Sequence, residues 1–148
     1  MAEKPNVVWV TLDSVRADHT FRRHSAGVTT DAAKHATPFL MNDILKRWVS
    51  DLQHDSPFFL YAHYNEPHRP YYPPGSYLDW ATEYIDMSPR KAADLALDIH
   101  HRVEDIISDG YTLTEREEKA LIAMYDAEIA YTDKCIGRLF SHIRSLDL

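Results

Sequence analysis

Apolar residues in this chain come as two short unbroken runs and as longer stripes spaced by three and four. Asn6-Val-Val-Trp-Val-Thr-Leu12 is an unbroken, β-branched run that stops at Asp13. That is the pattern of a strand apolar on both faces and buried in a parallel sheet. Pro57-Phe-Phe-Leu-Tyr-Ala-His-Tyr64 reads as a second buried strand. Between them, Thr37-Pro38 carries a helix-start signal, with proline at the first helical position. Leu40, Ile44, Leu45, Trp48, Val49 and Leu52 then fall at helical spacing on one expected inward face. Residues 19–36 lose all periodicity and read as loop, and His54-Asp55-Ser56 is a polar break. Pro67, Pro70, Pro73 and Pro74 exclude regular structure after the second run and predict an extended loop.

Ser88-Pro89 predicts another helix, with Leu95, Ile99, Val103 and Ile106 inward and Gly110 as its stop. Thr114 and Glu117 have the spacing of a capping box. Behind them Leu121, Tyr125, Ile129, Thr132, Ile136, Leu139 and Ile143 form the stripe of one long helix. Strand, helix, strand, helix, helix is an α/β order, with a small, mainly parallel sheet flanked by helices. Two strands are few, since three or more are generally wanted for a sheet to stand alone. The expectation is therefore a single, incomplete domain over residues 1–148. No internal repeat or low-complexity tract interrupts it.

The 148 residues, 45% hydrophobic and 26% charged, have the balance of a soluble globular domain. Sixteen basic against 23 acidic residues give a net charge of −7. With no basic stripe to neutralise phosphates, nucleic acid is excluded as a partner. The acid surplus suits a high-salt cytoplasm and is equally compatible with an ordinary one. No apolar run reaches about 18 residues, so no bilayer-spanning segment is expected. The opening Met-Ala-Glu-Lys-Pro lacks the apolar core of a signal peptide, which points to the cytoplasm. Cys135 is alone, which rules out a disulfide framework or a Cys-rich zinc site, and its mid-helix position predicts an inert thiol.

The first candidate for chemistry is Asp13. Ligands of open α/β sheets bind beyond the carboxyl ends of the strands, and a strand-end carboxylate offers a hard cation a rigid oxygen. The competing reading is an acid that caps the following turn, which holds Ser14, Arg16, Asp18 and His19. His63 and His68 flank the end of the second run, the latter stiffened by prolines. An imidazole held so can protonate a leaving oxygen or bind an anionic one, and Arg69 adds positive charge. The alternative is a surface loop that packs its tyrosines on the domain. His100 and His101 lie roughly 100° apart around their helix, so they do not share a face as a metal pair would. They read as ordinary helix residues. The acids from Glu115 to Glu118 complement a helix dipole on a solvated face.

Three segments in order carry a resemblance. Pro5-Asn-Val-Val-Trp-Val-Thr-Leu-Asp13-Ser-Val-Arg-Ala-Asp-His19 is followed by Pro57-Phe-Phe-Leu-Tyr-Ala-His-Tyr-Asn-Glu-Pro-His68-Arg-Pro-Tyr71. The third is Tyr125-Asp-Ala-Glu-Ile-Ala-Tyr-Thr-Asp133-Lys-Cys-Ile-Gly-Arg-Leu139. Together they resemble the sulfatase family of the alkaline-phosphatase superfamily. The resemblance implies a partial fold of that type. It implies that Asp13 is a ligand of a divalent cation, usually Ca²⁺, and that His68 contacts a sulfate ester and assists departure of the alcohol. His63 and Arg69 would be substrate-binding, and the substrate a small-molecule or glycan sulfate ester. Ser14 stands where many relatives have a second acidic ligand.

The departures from the family are as informative. Its nucleophile lies in a Cys/Ser-x-Pro-x-Arg motif, and residues 14–56 contain none. Ser88-Pro89-Arg90 follows His68 and is a helix start. The join from Asp18 to Thr30 suggests an internal deletion. Past Leu146-Asp-Leu148 relatives continue into a strand carrying further metal ligands. Catalysis by a hydrated aldehyde needs that nucleophile, its arginine and a closed metal shell. The expectation is thus a sulfuric ester hydrolase by lineage, impaired or inactive as the chain stands. Two alternatives stay open: a non-catalytic remnant or anion- or partner-binding protein, and a phosphoester hydrolase of the same superfamily.

Overall fold

Val7–Leu12 forms β1 and Phe59–Tyr64 forms β2, and the two pair in parallel from Val7↔Phe59 to Leu12↔Tyr64. This computed structural model of the chain describes residues 5–15, 38–52, 57–71 and 73–147. The expectations for Arg16, Asp18, His19, the loop 19–36, Thr37, the break 54–56 and Tyr72 fall outside the described residues. The described elements are α/β as expected: β1, α1 (Pro38–Ser50), β2, α2 (Gly75–Thr82), α3 (Pro89–His101), α4 (Val103–Asp109) and α5 (Glu115–Ser145). They fall into two compact units, residues 1–66 with 132–148, and residues 67–131.

In the first unit one core draws Val10, Leu60, Ala62 and Tyr64 from the strands, Met41, Leu45 and Val49 from α1, and Leu139 from α5. The opposite face of the strand pair is open. Trp9 is 55% and Phe59 62% exposed, with Val7 and Tyr61 also on the surface. Trp9 and Tyr61 meet edge to face there, ring centroids 6.4 Å apart. The expectation of strands buried on both faces is therefore corrected. An apolar run shows that both faces are able to pack, and the described elements cover one.

Helix α1 starts at Pro38 as predicted, but its buried positions are Pro38, Met41, Asn42, Leu45 and Val49. Leu40, Ile44 and Trp48, expected inward, are about half exposed. Two stripes compete at i, i+4 spacing, 40-44-48 and 41-45-49, and a polar contact selects between them. Asn42 Nδ2 donates to the Cys135 carbonyl, and Asn42 Oδ1 accepts from the Tyr64 hydroxyl at 2.6 Å. Burial pushes the Tyr64 phenol well above its ordinary pKa, with the nearby Cys135 thiol adding to the shift, so it serves as a donor throughout the ordinary pH range. Trp48 is left to pack its edge on Phe58 at 6.0 Å.

In the second unit, α2 arises immediately after the prolines, where regular structure was not expected. Pro74 supplies its N-cap backbone and Thr82 Oγ1 donates back to the Leu78 carbonyl at 2.9 Å. Trp80 and Tyr84 beside it are exposed, while Ala81, Ala123 and Ala127 form a small core with Tyr77 and Ile85. Helix α3 begins at Pro89 as read, burying Ala92, Ala96 and Ile99. The single helix expected up to Gly110 is broken at Arg102 (φ −100°, ψ 10°), whose side chain has other partners. Its Nη2 lies 2.6 Å from Asp98 and 3.6 Å from Glu117, and its guanidinium lies over the Tyr111 ring. Gly110 then ends α4 in the left-handed conformation, φ 66°, as its position as a stop required.

The capping box forms. Glu117 Oε2 accepts from the Thr114 N–H at 2.8 Å, the Thr114 hydroxyl at 2.7 Å and the Tyr111 hydroxyl at 2.9 Å. The Glu117 N–H in turn donates to Thr114 Oγ1 at 3.3 Å. These bonds, the backbone one foremost, hold the Glu117 carboxyl below the usual carboxylate range. A depressed folded pKa means stability that is complete above the unfolded value and is lost as pH falls through the folded one. Melting curves between about pH 5 and pH 3 should therefore slope down in the native protein. Glu117→Gln should have a lower Tm at neutral pH and a shallower slope over that window; a slope equal to the parent's would remove Glu117 as its source.

Candidate functional site

Asp13 follows the last residue of β1, and its N–H donates to the Tyr64 carbonyl at 3.0 Å. The ladder thus runs one bond past Leu12 and fixes the acid at the carboxyl end of the strand. Ser14 next adopts φ 60°, a left-handed backbone uncommon for a residue with a Cβ and concentrated at functional sites. Its hydroxyl donates to Asp13 Oδ1 at 3.0 Å. The turn is sharp, and it presents the partly exposed carboxylate where open α/β sheets bind ligands.

Ca²⁺ takes six to eight oxygens. No group of three or more His, Cys, Asp or Glu able to hold a metal occurs among the described residues. One carboxylate beside one hydroxyl does not enclose such an ion, so these residues do not by themselves fit the cation that the resemblance implies.

His63 pairs with Thr11 across the sheet. The period-2 alternation places it on the open face with Tyr61, opposite the buried Ala62 and Tyr64. Glu66, on which the sequence reading was silent, has a buried Oε2 with no hydrogen-bond partner among the described residues. Burial raises its carboxyl above the ordinary range, partly opposed by a hydrogen bond from its own backbone. A carboxyl in that state holds its proton more readily and is suited to donate it.

In the second unit His68 is exposed, with Nδ1 2.7 Å from the Arg69 carbonyl oxygen. A carbonyl only accepts, so Nδ1 carries the proton and Nε2 is left for another partner. As a neutral ring it offers a lone pair; as a cation it offers an N–H to an oxygen. Arg69 follows, half-buried, and the Arg69–Pro70 peptide is cis. Tyr71 packs on Tyr125 with centroids 5.7 Å apart. Burial raises its phenol, while Arg69 pulls it down and Tyr125 and Glu128 push it up. Tyr71 thus packs on the domain, while His68 is exposed and Arg69 half-buried.

The charges of this loop act on His100, a residue the sequence reading set aside. Burial holds its imidazole below the ordinary histidine range, and the charges of Arg69, His101 and His68 act in the same direction. Its Nδ1 is shielded from solvent and has no hydrogen-bond partner among the described residues. Residue spacing bears only on whether His100 and His101 share a helix face. The influence of Arg69 and His68 on its ring is a tertiary effect that residue spacing does not encode.

A family model described as Sulfatase matches residues 39–148. The matched span includes His63, His68 and Arg69 and begins after Asp13. Comparison with curated proteins finds no match, and comparison with solved structures finds none.

Proposed function

Since the chain belongs to the sulfatase family, we propose that it binds the sulfuryl group of a sulfate ester, from a small molecule or a glycan, and turns it over poorly or not at all. The observation that carries the reading is His68. Its Nδ1 is committed to the Arg69 carbonyl, which leaves Nε2 for another partner, and the next residue carries a guanidinium. That pair suits an oxyanion, since hydrogen bonds from charged donors to anionic oxygens are among the strongest available. In its cationic form His68 is also the group placed to protonate a departing alcohol. By resemblance, His63 would be a further substrate contact and Asp13 one ligand of a divalent cation, Ca²⁺ by family preference, whose other ligands the described residues do not supply. The poor turnover follows from residues 14–56, which lack the Cys/Ser-x-Pro-x-Arg nucleophile motif; without a nucleophile to attack sulfur, binding is not converted into bond cleavage.

The test is calorimetry and turnover with an aryl sulfate in calcium buffer. The expected result is saturable binding with no hydrolysis above the buffer rate, and a loss of affinity of about tenfold in His68→Ala. Absence of binding would overturn the reading. Hydrolysis that disappears in Asp13→Ala would restore a working, metal-dependent enzyme in its place.

A further inference from the structure

We propose that the open face of the β1–β2 pair is a self-association surface, and that its occupant is the same face of a second copy of this chain, related by a two-fold axis. The strand register sets the face in three rows: Val7 beside Phe59, Trp9 beside Tyr61, and Thr11 beside His63. Period-2 alternation puts all six on the side away from the buried Val10, Leu60, Ala62 and Tyr64. The first two rows are apolar and stand well into solvent. The third is polar and partly exposed.

Charge decides the kind of partner. The chain carries −7, yet none of the six positions is Asp, Glu, Lys or Arg, and Asp13 follows beyond the third row. A partner recognised by its charge finds nothing to pair with on this face. Two acidic copies repel through most of their surface and approach closely only where fixed charge is missing. Parallel strands are ordinarily covered on both faces, and aromatic residues with charge depleted are the composition of an interface core. Trp and Tyr most often dominate such contacts, and Trp9 and Tyr61 already meet edge to face at 6.4 Å. They hold the middle row, so an in-plane two-fold axis over that row sets each pair against its counterpart.

The area fits a weak dimer. Taking full aromatic side chains at roughly 150–250 Å², the exposed parts of Val7, Trp9, Phe59 and Tyr61 come to about 400 Å² per copy. With the rim of Thr11 and His63, pairing removes about 1,000 Å² in total from water, where specific interfaces begin. Association is therefore reversible, with a midpoint near about 100 µM. The third row includes His63, so pairing takes that imidazole out of solvent.

The experiment is sedimentation of the full chain from about 5 µM to about 500 µM, where the average mass should rise from one chain toward two. Raising NaCl from about 0.1 M to about 1 M should tighten the pairing several-fold, because it screens the net repulsion and favours apolar burial. Trp9→Glu and Trp9→Lys should each weaken it at least about tenfold, while an equal mixture of the two should associate again, since opposite charges then meet across the axis. Ile44→Glu, on the exposed stripe of α1, should match the parent. If the position-9 variants do not fold, Trp48→Phe with Trp80→Phe leaves Trp9 as the one indole. Its emission should then move to the blue over the same concentration range. A parent that stays monomeric throughout, or a Trp9 emission that does not move, overturns the proposal and leaves the face to a different polypeptide or a small apolar ligand. It is overturned equally by pairing that survives in folded Trp9→Glu, that is lost in Ile44→Glu, that loosens with salt, or that the mixture fails to restore. A mass climbing past two chains would mean a contact that does not close, and removes the two-fold.

Discussion

Asn42→Ala is expected to remove about 3–4 kcal/mol of folding stability and lower Tm by about 10 °C, read by thermal melts of the variant and parent. Asn42 is 3% exposed and bridges residues remote in sequence. It accepts from the Tyr64 hydroxyl, 22 positions on, and donates to the Cys135 carbonyl, 93 positions on. Truncation leaves a small void and orphans both. The two losses differ. The Cys135 carbonyl lies inside α5, where the backbone ladder still offers a donor, so its cost is small. The Tyr64 hydroxyl is fully buried and would be left with no acceptor. Adding Tyr64→Phe should therefore recover about 1–3 kcal/mol, the penalty of one unpaired buried group. A double variant no more stable than Asn42→Ala would show that the bond is not what fixes the helix. The effect reaches the candidate site as well, because the Tyr64 carbonyl receives the Asp13 N–H. A loosened Tyr64 frees the strand end that presents the carboxylate.

The other large effect is Leu139→Ala, expected to cost about 3 kcal/mol. Leu139 is fully buried among Val10, Met41, Leu45, Val49, Leu60, Ala62 and Tyr64. Of its neighbours Ala62 and Val10 are anchored by backbone pairing in the sheet, so the cavity has little means of closing. Leu139→Met keeps the volume and should cost less than about 1.5 kcal/mol. Denaturant midpoints for the two variants check both values. Similar losses in both would mean that shape, not volume, limits this core.

What was legible in the sequence is what local chemistry decides. Pro38 and Pro89 open helices, Gly110 closes one, Thr114 and Glu117 cap another, and the two apolar runs pair as parallel strands. Each signal is complete within a few residues. The inward face of α1 was not legible, because 40-44-48 and 41-45-49 are equally apolar and the choice is made by Asn42 through distant partners. The break at Arg102 was hidden for the same reason: its partners Glu117 and Tyr111 follow beyond the helix end. At the candidate site, residue type and position, together with a family resemblance, single out Asp13, His63, His68 and Arg69. The left-handed Ser14 and the influence of Arg69 and His68 on His100 could not be read, since a backbone dihedral and a tertiary effect leave no mark on residue spacing.

Trp9 on the open sheet face, Trp48 on the turned-out side of α1 and Trp80 on α2 are the chain's three indoles, and all stand well into solvent. Their emission is therefore already that of a wet fluorophore in the native state. Denaturation has little apolar surrounding to strip from them. The optical probe that reports this protein's unfolding is the far-ultraviolet signal of its helices, and a flat fluorescence trace is no sign of a resistant fold.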